Sequence, residues 1–94
     1  MSFEKRVQTY LDQLATRLES LDFDVDYANV TLSFSTEEGL YLFKVHQLTQ
    51  EIWVSSPKSG GHRFADHSLE GSWLNIRNGT ELENFLKEEL GVSF

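Results

Sequence analysis

From Phe3 onward the apolar residues recur at three- and four-residue steps: Phe3, Val7, Tyr10, Leu11, Leu14, Leu18 and Leu21. At ~100° per residue they fall within an arc of roughly 100°, which predicts an amphipathic helix over residues 3–21. The period then changes to two. Asp22-Phe23-Asp24-Val25-Asp26-Tyr27 alternates acid with apolar residue and predicts a short strand with one wet, acidic face. Asn29 to Ser35 alternates again, Val30, Leu32 and Phe34 inward and Thr31, Ser33 and Ser35 outward, and Thr36-Glu37-Glu38-Gly39 reads as a hairpin turn. Leu40 to Val45 is apolar on both faces, as expected of a central strand with helices over one side, and residues 47–50 make a short connection. In Glu51 to Phe64 a strand through Ile52-Trp53-Val54 ends at a Ser/Pro/Gly cluster, and the chain returns through His62-Arg63-Phe64. If Ile52 and Val54 face a core, alternation sends Trp53 out of the opposite face. A polar turn is expected around His67–Gly71, then a last strand, Trp73–Arg77, with Leu74 and Ile76 on the core face. Asn78-Gly79 ends the sheet. Thr80 to Glu83 has the form of a capping box, with Thr80 as N-cap and Glu83 three residues on. Leu82, Phe85, Leu86 and Leu90 form one face of a second helix, Gly91 is its stop, and Val92-Ser93-Phe94 follow as a short tail.

Helix, a run of about five or six strands, helix: this order predicts an α+β two-layer sandwich, with the N- and C-terminal helices packed on one face of an antiparallel sheet. Residues 1–94 form a single domain, with no repeat, linker or low-complexity stretch. No apolar run approaches the ~20 residues that span a membrane. The N-terminal residues lack the apolar region of a signal peptide and the Arg/Ser richness of a transit peptide. The expectation is a bacterial cytoplasmic protein, or an organellar one, such as of the mitochondrial matrix, whose targeting segment has been removed.

Charge narrows the chemistry. The net charge is −7, which disfavours nucleic acid as a partner, because phosphates must be neutralised to be bound. Residues 1–38 hold eight acids against three bases, and residues 39–94 seven against five. On the first helix Glu4, Asp12 and Glu19 share one flank and Arg6 and Arg17 the other, so the acids form a stripe. Asp22, Asp24 and Asp26 extend it at ~6.8 Å steps along a strand. That spacing is too wide for one tight metal cage but suits loose binding of hard cations such as Fe²⁺ or Fe³⁺ by carboxylate oxygen. The bland alternative is a face kept acidic for solubility, or an edge strand guarded against pairing.

The chain has no cysteine, which removes disulfides, thiol catalysis and thiolate ligation of a cluster. There is no phosphate-binding loop and no serine or histidine in a nucleophile context, so an enzyme is not expected. His62 and His67 are five apart and face opposite ways on a straight strand, a poor ligand pair; His46, His62 and His67 each read as solvated turn or strand histidines.

Ile52-Trp53-Val54-Ser55-Ser56-Pro57, Ser59-Gly60 and Arg63-Phe64 together resemble the frataxin family, called CyaY in bacteria. The match runs without a gap back to about Asn29, and Trp73 and the Asn78-Gly79 turn into an acidic helix also fit. The resemblance implies the same α+β fold. It also implies an acidic ridge on the first helix and strand that binds iron weakly and meets a basic face of a cysteine desulfurase; the matching residues are Glu4, Asp12, Glu19, Asp22, Asp24 and Asp26. It further implies an outer sheet face, matched by Trp53 and Arg63, that contacts the desulfurase–scaffold complex of iron–sulfur cluster assembly. On the preceding strand Lys44-Val45-His46 stands where the family usually has Asn-Lys/Arg-Gln, and Leu48 where it has Pro, so Lys44 and His46 join the partner-binding set in altered form. The function implied is an iron-binding regulator of that complex, with a role as iron donor or sensor also implied, monomeric or self-associating with iron; ferroxidase activity is implied for some members of the family. The rivals are an iron store or chaperone working by metal-driven self-association, and an interaction domain of the same fold with a changed partner.

Overall fold

The computed structural model describes residues 2–67 and 72–91, with His67 described by its backbone. The expected turn at His67–Gly71 and the tail Val92-Ser93-Phe94 lie outside the described residues. Helix α1 (Phe3–Ser20) is followed by strands β1 (Val25–Ala28), β2 (Thr31–Thr36), β3 (Gly39–His46), β4 (Glu51–Ser56), β5 (Gly60–His67) and β6 (Ser72–Asn75), then helix α2 (Leu82–Leu90). The six strands form one antiparallel meander in chain order, β1 to β6. Both helices pack on one face of it, giving the expected two-layer α+β sandwich.

The core is the seam between those layers. Phe3, Val7, Leu11, Leu14, Ala15 and Leu18 of α1 and Leu82, Phe85 and Leu86 of α2 bury against Leu32, Phe34, Tyr41, Phe43, Ile52, Val54 and Phe64 of the sheet. Each fully buried aliphatic or aromatic side chain contributes ~1.5–3 kcal/mol. Phe34 and Tyr41 stack at 4.9 Å between ring centres, and Phe23 closes the row at 5.2 Å from Phe34. Ser2 caps α1, its hydroxyl accepting from the Lys5 amide, and Gly91 ends α2 in the left-handed conformation expected of it.

Two expectations fail at the far end. The last strand has the opposite facing: Trp73 and Asn75 are buried, whereas Ile76 has left the strand and is 49% exposed. The register explains it. Asn75 pairs with core-facing Phe64 and Trp73 with Asp66, while Leu74 pairs with Ala65 on the outer face. The indole of Trp73 is also the larger group, and it fills the space under α1 between Phe3 and Tyr10, 5.8 and 6.0 Å away. The capping box does not form either. Glu81 is the N-cap and makes no side-chain cap bond. Thr80 instead closes the preceding turn: its amide donates to Asn78 Oδ1 and its carbonyl accepts from the Asn75 amide.

The first strand is shorter than the alternation suggests. Asp22 sits in a turn at φ 69°, and ladder pairing begins only at Val25. Asn29 and Val30, both at positive φ, make the two-residue loop between β1 and β2. Val30 keeps this costly conformation with its side chain packed against the core.

Candidate functional site

The β4 ladder sets the outer face of the sheet. Ile52 and Val54 are buried on the helix side, and Trp53 projects from the other side, 40% exposed, as its place between them requires. Directly paired residues share a face, so Lys44, Trp53 and Arg63 form one cross-strand row and His46, Glu51 and Ala65 the next. The indole is held from both neighbouring strands. From β3 the His46 ring stacks on it, 4.3 Å between centres and 2° from parallel, and from β5 the Arg63 guanidinium lies 5.1 Å from the ring centre.

Beneath this group lies Glu51, which no periodic sequence pattern marks as a site residue. Glu51 is buried, and one of its carboxylate oxygens accepts from Trp53 Nε1 at 2.9 Å, Thr49 Oγ1 at 3.0 Å and Arg63 Nε at 2.9 Å. Arg63 Nη2 also lies 2.9 Å from it, and the Thr49 hydroxyl is in turn 2.9 Å from His46 Nδ1. Burial pushes the Glu51 pKa up. The hydrogen bonds from Trp53, Thr49 and Arg63 and the Arg63 charge outweigh it, so the carboxyl is held below its ordinary range. A carboxylate at this position carries no periodicity signal, because burial on the outer face of an open sheet comes from neighbours, not pattern. The sequence clue is its place two residues before Trp53, which puts the two side chains on one face of a strand.

Three of the four residues expected to meet a partner, His46, Trp53 and Arg63, therefore form one bonded group, with exposed Lys44 beside it. His46 is not a freely solvated histidine. Neither is His62, which is half-buried, packs its ring 4.6 Å from that of Phe85 and bonds Ser59 Oγ through Nε2 at 2.8 Å. Leu48, at 95% exposure, projects from the loop that carries Thr49.

The six acids expected to bind cations are all exposed, but they do not form one surface. Val25 and Tyr27 turn inward against the core, and the Tyr27 hydroxyl reaches the Gln8 carbonyl of α1 at 3.4 Å. Asp26, paired with Ser33, must then face the outer side of the sheet, while Glu4, Asp12 and Glu19 lie on α1 in the helix layer. Asp26 and the α1 acids thus flank the β1 edge from opposite sides, while Asp22 and Asp24 precede the ladder. None of the six is in an ion pair among the described residues, whereas Arg6 binds Asp66 and Arg17 binds Glu83 at 2.6 Å. The basic flank of α1 thus ties the helix to the rest of the fold, and the acidic flank makes no ion pair among the described residues, though Asp12 meets the Tyr27 hydroxyl. Among the described residues no group of three or more His, Asp or Glu side chains gathers as a metal site. What the arrangement offers a hard cation is one or two carboxylates at a time with water completing the shell, which favours weak, exchangeable binding. The Tyr27 phenol beside Asp12 is pushed up to about 12, by burial first and then by that carboxylate, so it stays a neutral donor.

A family sequence description, Frataxin-like domain, matches residues 1–94. The mitochondrial frataxin homolog of Saccharomyces cerevisiae is 32% identical over 94% of this chain, which spans 54% of that protein. The iron–sulfur cluster assembly protein CyaY of Vibrio cholerae is 30% identical over 93% of this chain and is covered over 84% of its own length. Among solved structures, trimeric yeast frataxin complexed with ferrous iron superposes with a TM-score of 0.82 at 32% identity, covering 92% of this chain and 82% of that one. With its two helices on a six-stranded antiparallel sheet and its central Ile-Trp-Val-Ser-Ser-Pro strand, the chain belongs to the frataxin family.

Proposed function

We propose that the protein serves iron–sulfur cluster assembly as a regulator that docks on a cysteine desulfurase–scaffold complex and offers Fe²⁺ weak carboxylate sites. One observation carries the docking half. Trp53 stays exposed, yet it is fixed on three sides by His46, Arg63 and Glu51. A folded protein rarely spends a buried carboxylate on holding an exposed indole still, and fixing such a residue lowers the ordering cost when a partner covers it. The carboxylates of α1 and of residues 22–26, which enter no ion pair among the described residues, support the iron half, together with the ferrous iron bound by the yeast relative. The role is regulation and iron handling, not conventional catalysis, in the bacterial cytoplasm or the mitochondrial matrix. In a binding titration with a desulfurase–scaffold complex, Trp53→Ala should lower affinity at least tenfold, which is about 1.4 kcal/mol. Unchanged affinity in a folded Trp53→Ala protein would refute the docking face.

A second reading, iron-driven self-association, is favoured by the trimeric state of the iron-bound yeast relative. Size measurement with and without Fe²⁺ tests it: growth of the species with iron supports self-association, and an unchanged size removes it.

A further inference from the structure

Beside the Trp53 row the outer face drops into a trench. The next cross-strand row is Leu42, Ser55 and Gly61, two of which carry almost no side chain. A Cβ at Gly61 would meet nothing within 4 Å. One wall is Trp53 and Arg63. The other end is closed by Ile76 and Arg77, in a loop that Asn75 and Asn78 hold: Asn75 Oδ1 accepts from the Arg77 amide, Asn78 Oδ1 from the Thr80 amide, and the Ile76 amide donates to the Arg63 carbonyl. The depression is about 620 Å³. It runs across three strands, ~10–14 Å at ~4.8 Å per strand, the length of three to four extended residues.

The charge of the trench is opposite to that of the molecule. Lys44, Arg63 and Arg77 line it, and no acid does. Lys44 and Arg77 enter no ion pair among the described residues, while the protein as a whole carries −7. Apolar surface from Leu42, Trp53 and Ile76 lies between those cations. Towards β1 the same face becomes acidic at Asp26, so an anionic group is favoured only at the β4–β6 end.

We propose that this trench docks an extended acidic segment of a partner protein, seating an apolar side chain over Ser55 and Gly61 and carboxylates against Lys44 and Arg77. The proposal rests on the reading of the outer sheet face as a partner surface, and it names the chemistry that face selects. The probes are three synthetic peptides: an alternating Glu/Leu pentamer, its Lys/Leu counterpart and its Gln/Leu counterpart. Followed by NMR, the Glu/Leu peptide should shift the amides of Ser55, Gly61, Ile76 and Arg77, bind at least tenfold more tightly than the other two, and weaken as salt rises. Gly61→Val should fill the trench without straining the fold, since Gly61 lies outside the left-handed φ region and its Cβ position is open. It should reduce Glu/Leu affinity at least tenfold with no fall in melting temperature, and Arg77→Ala should weaken binding in the same assay. Equal binding of the Lys/Leu peptide, shifts centred elsewhere, full affinity in Gly61→Val, or self-association occupying these residues without peptide would each overturn the proposal. Binding to the desulfurase–scaffold complex keeps the two readings apart. Loss in Trp53→Ala with full affinity in Gly61→Val removes the trench and leaves the docking face; full affinity in both removes the docking face itself.

Discussion

Glu51 joins folding to the site. It is a buried acid whose only charged neighbour among the described residues is Arg63, and Arg63 is itself half exposed. Replacing it by Gln keeps the shape but weakens charge-assisted bonds worth ~1.5–3 kcal/mol each at most, so Glu51→Gln should cost ~1–2 kcal/mol at neutral pH. The pH dependence has a definite sign. The folded-state pKa lies below the ordinary carboxylate value of 4.5, so the stabilisation is fully present above 4.5 and is lost as pH falls through the lower, folded value. The stability gap between wild type and Glu51→Gln, from denaturant curves at several pH values, should stay constant above about pH 5.5 and shrink below 4.5. A gap that widened on acidification would mean Glu51 is destabilised when charged. At the same scale, Trp53→Ala removes one charge-assisted bond to buried Glu51 and should cost ~1–2 kcal/mol while leaving the domain folded, whereas Ile52→Ala or Val54→Ala should cost ~2–4 kcal/mol through a core cavity. The same denaturant series decides this, and unfolding of Trp53→Ala would contradict the exposed position of the indole.

At the scale of elements, what the sequence told depended on whether neighbours or periodicity decided. Helix α1 and strands β2 to β4 were legible because each buries one face, and a one-residue slip would expose Leu32, Phe34, Ile52 and Val54. β6 was misread because Trp73-Leu74-Asn75-Ile76 offers apolar residues on both phases. Only its pairing with β5 and the gap under α1 choose Trp73. The start of α2 was misread because Thr80 was already committed to the Asn78 turn. In the site, the outward Trp53 and the row it shares with Arg63 followed from alternation, but the His46 stack and the Glu51 network are tertiary and leave no periodic trace. The turn between β2 and β3 was legible in its glycine. Gly39 sits at φ 135°, and a Cβ there would stand 2.9 Å from Pro57 Cβ in the neighbouring hairpin. Gly39→Ala should therefore destabilise by ~1–3 kcal/mol, from backbone strain and from displacing a ring that has no flexible end to yield. Gly61→Ala, with open space and ordinary φ, should be neutral or stabilising by up to ~1 kcal/mol. Equal effects at the two glycines would show that neither the φ nor the Pro57 contact matters.

For the whole molecule, charge and size act together. A 94-residue domain has little stability in reserve, and eight of its fifteen acids lie in the first 38 residues. Those on α1 look out from the helix side of the sheet edge and Asp26, with Asp24 two residues before it, from the strand side, so like charges repel mainly within each group. A divalent cation that binds only the folded chain relieves this repulsion and adds stability by mass action, about 1.4 kcal/mol at tenfold excess over its Kd. For a domain of this size that raises Tm by ~6–11 °C. Salt of equal ionic strength relieves the repulsion without binding, and serves as the control. Because the two sets do not share ligands, Glu4→Gln with Asp12→Asn should remove one part of the rise, and Asp24→Asn with Asp26→Asn another. The combined variant should lose the sum to within ~0.5 kcal/mol. Anaerobic melts with Fe²⁺, repeated with Mg²⁺ as a redox-inert comparison, measure it. If either pair alone abolishes the entire shift, the carboxylates on both sides of β1 act as one site around the edge, and the separation inferred from the β1 register is wrong. If His46→Ala removes the shift instead, the cation sits on the outer-face cluster and the carboxylate assignment fails.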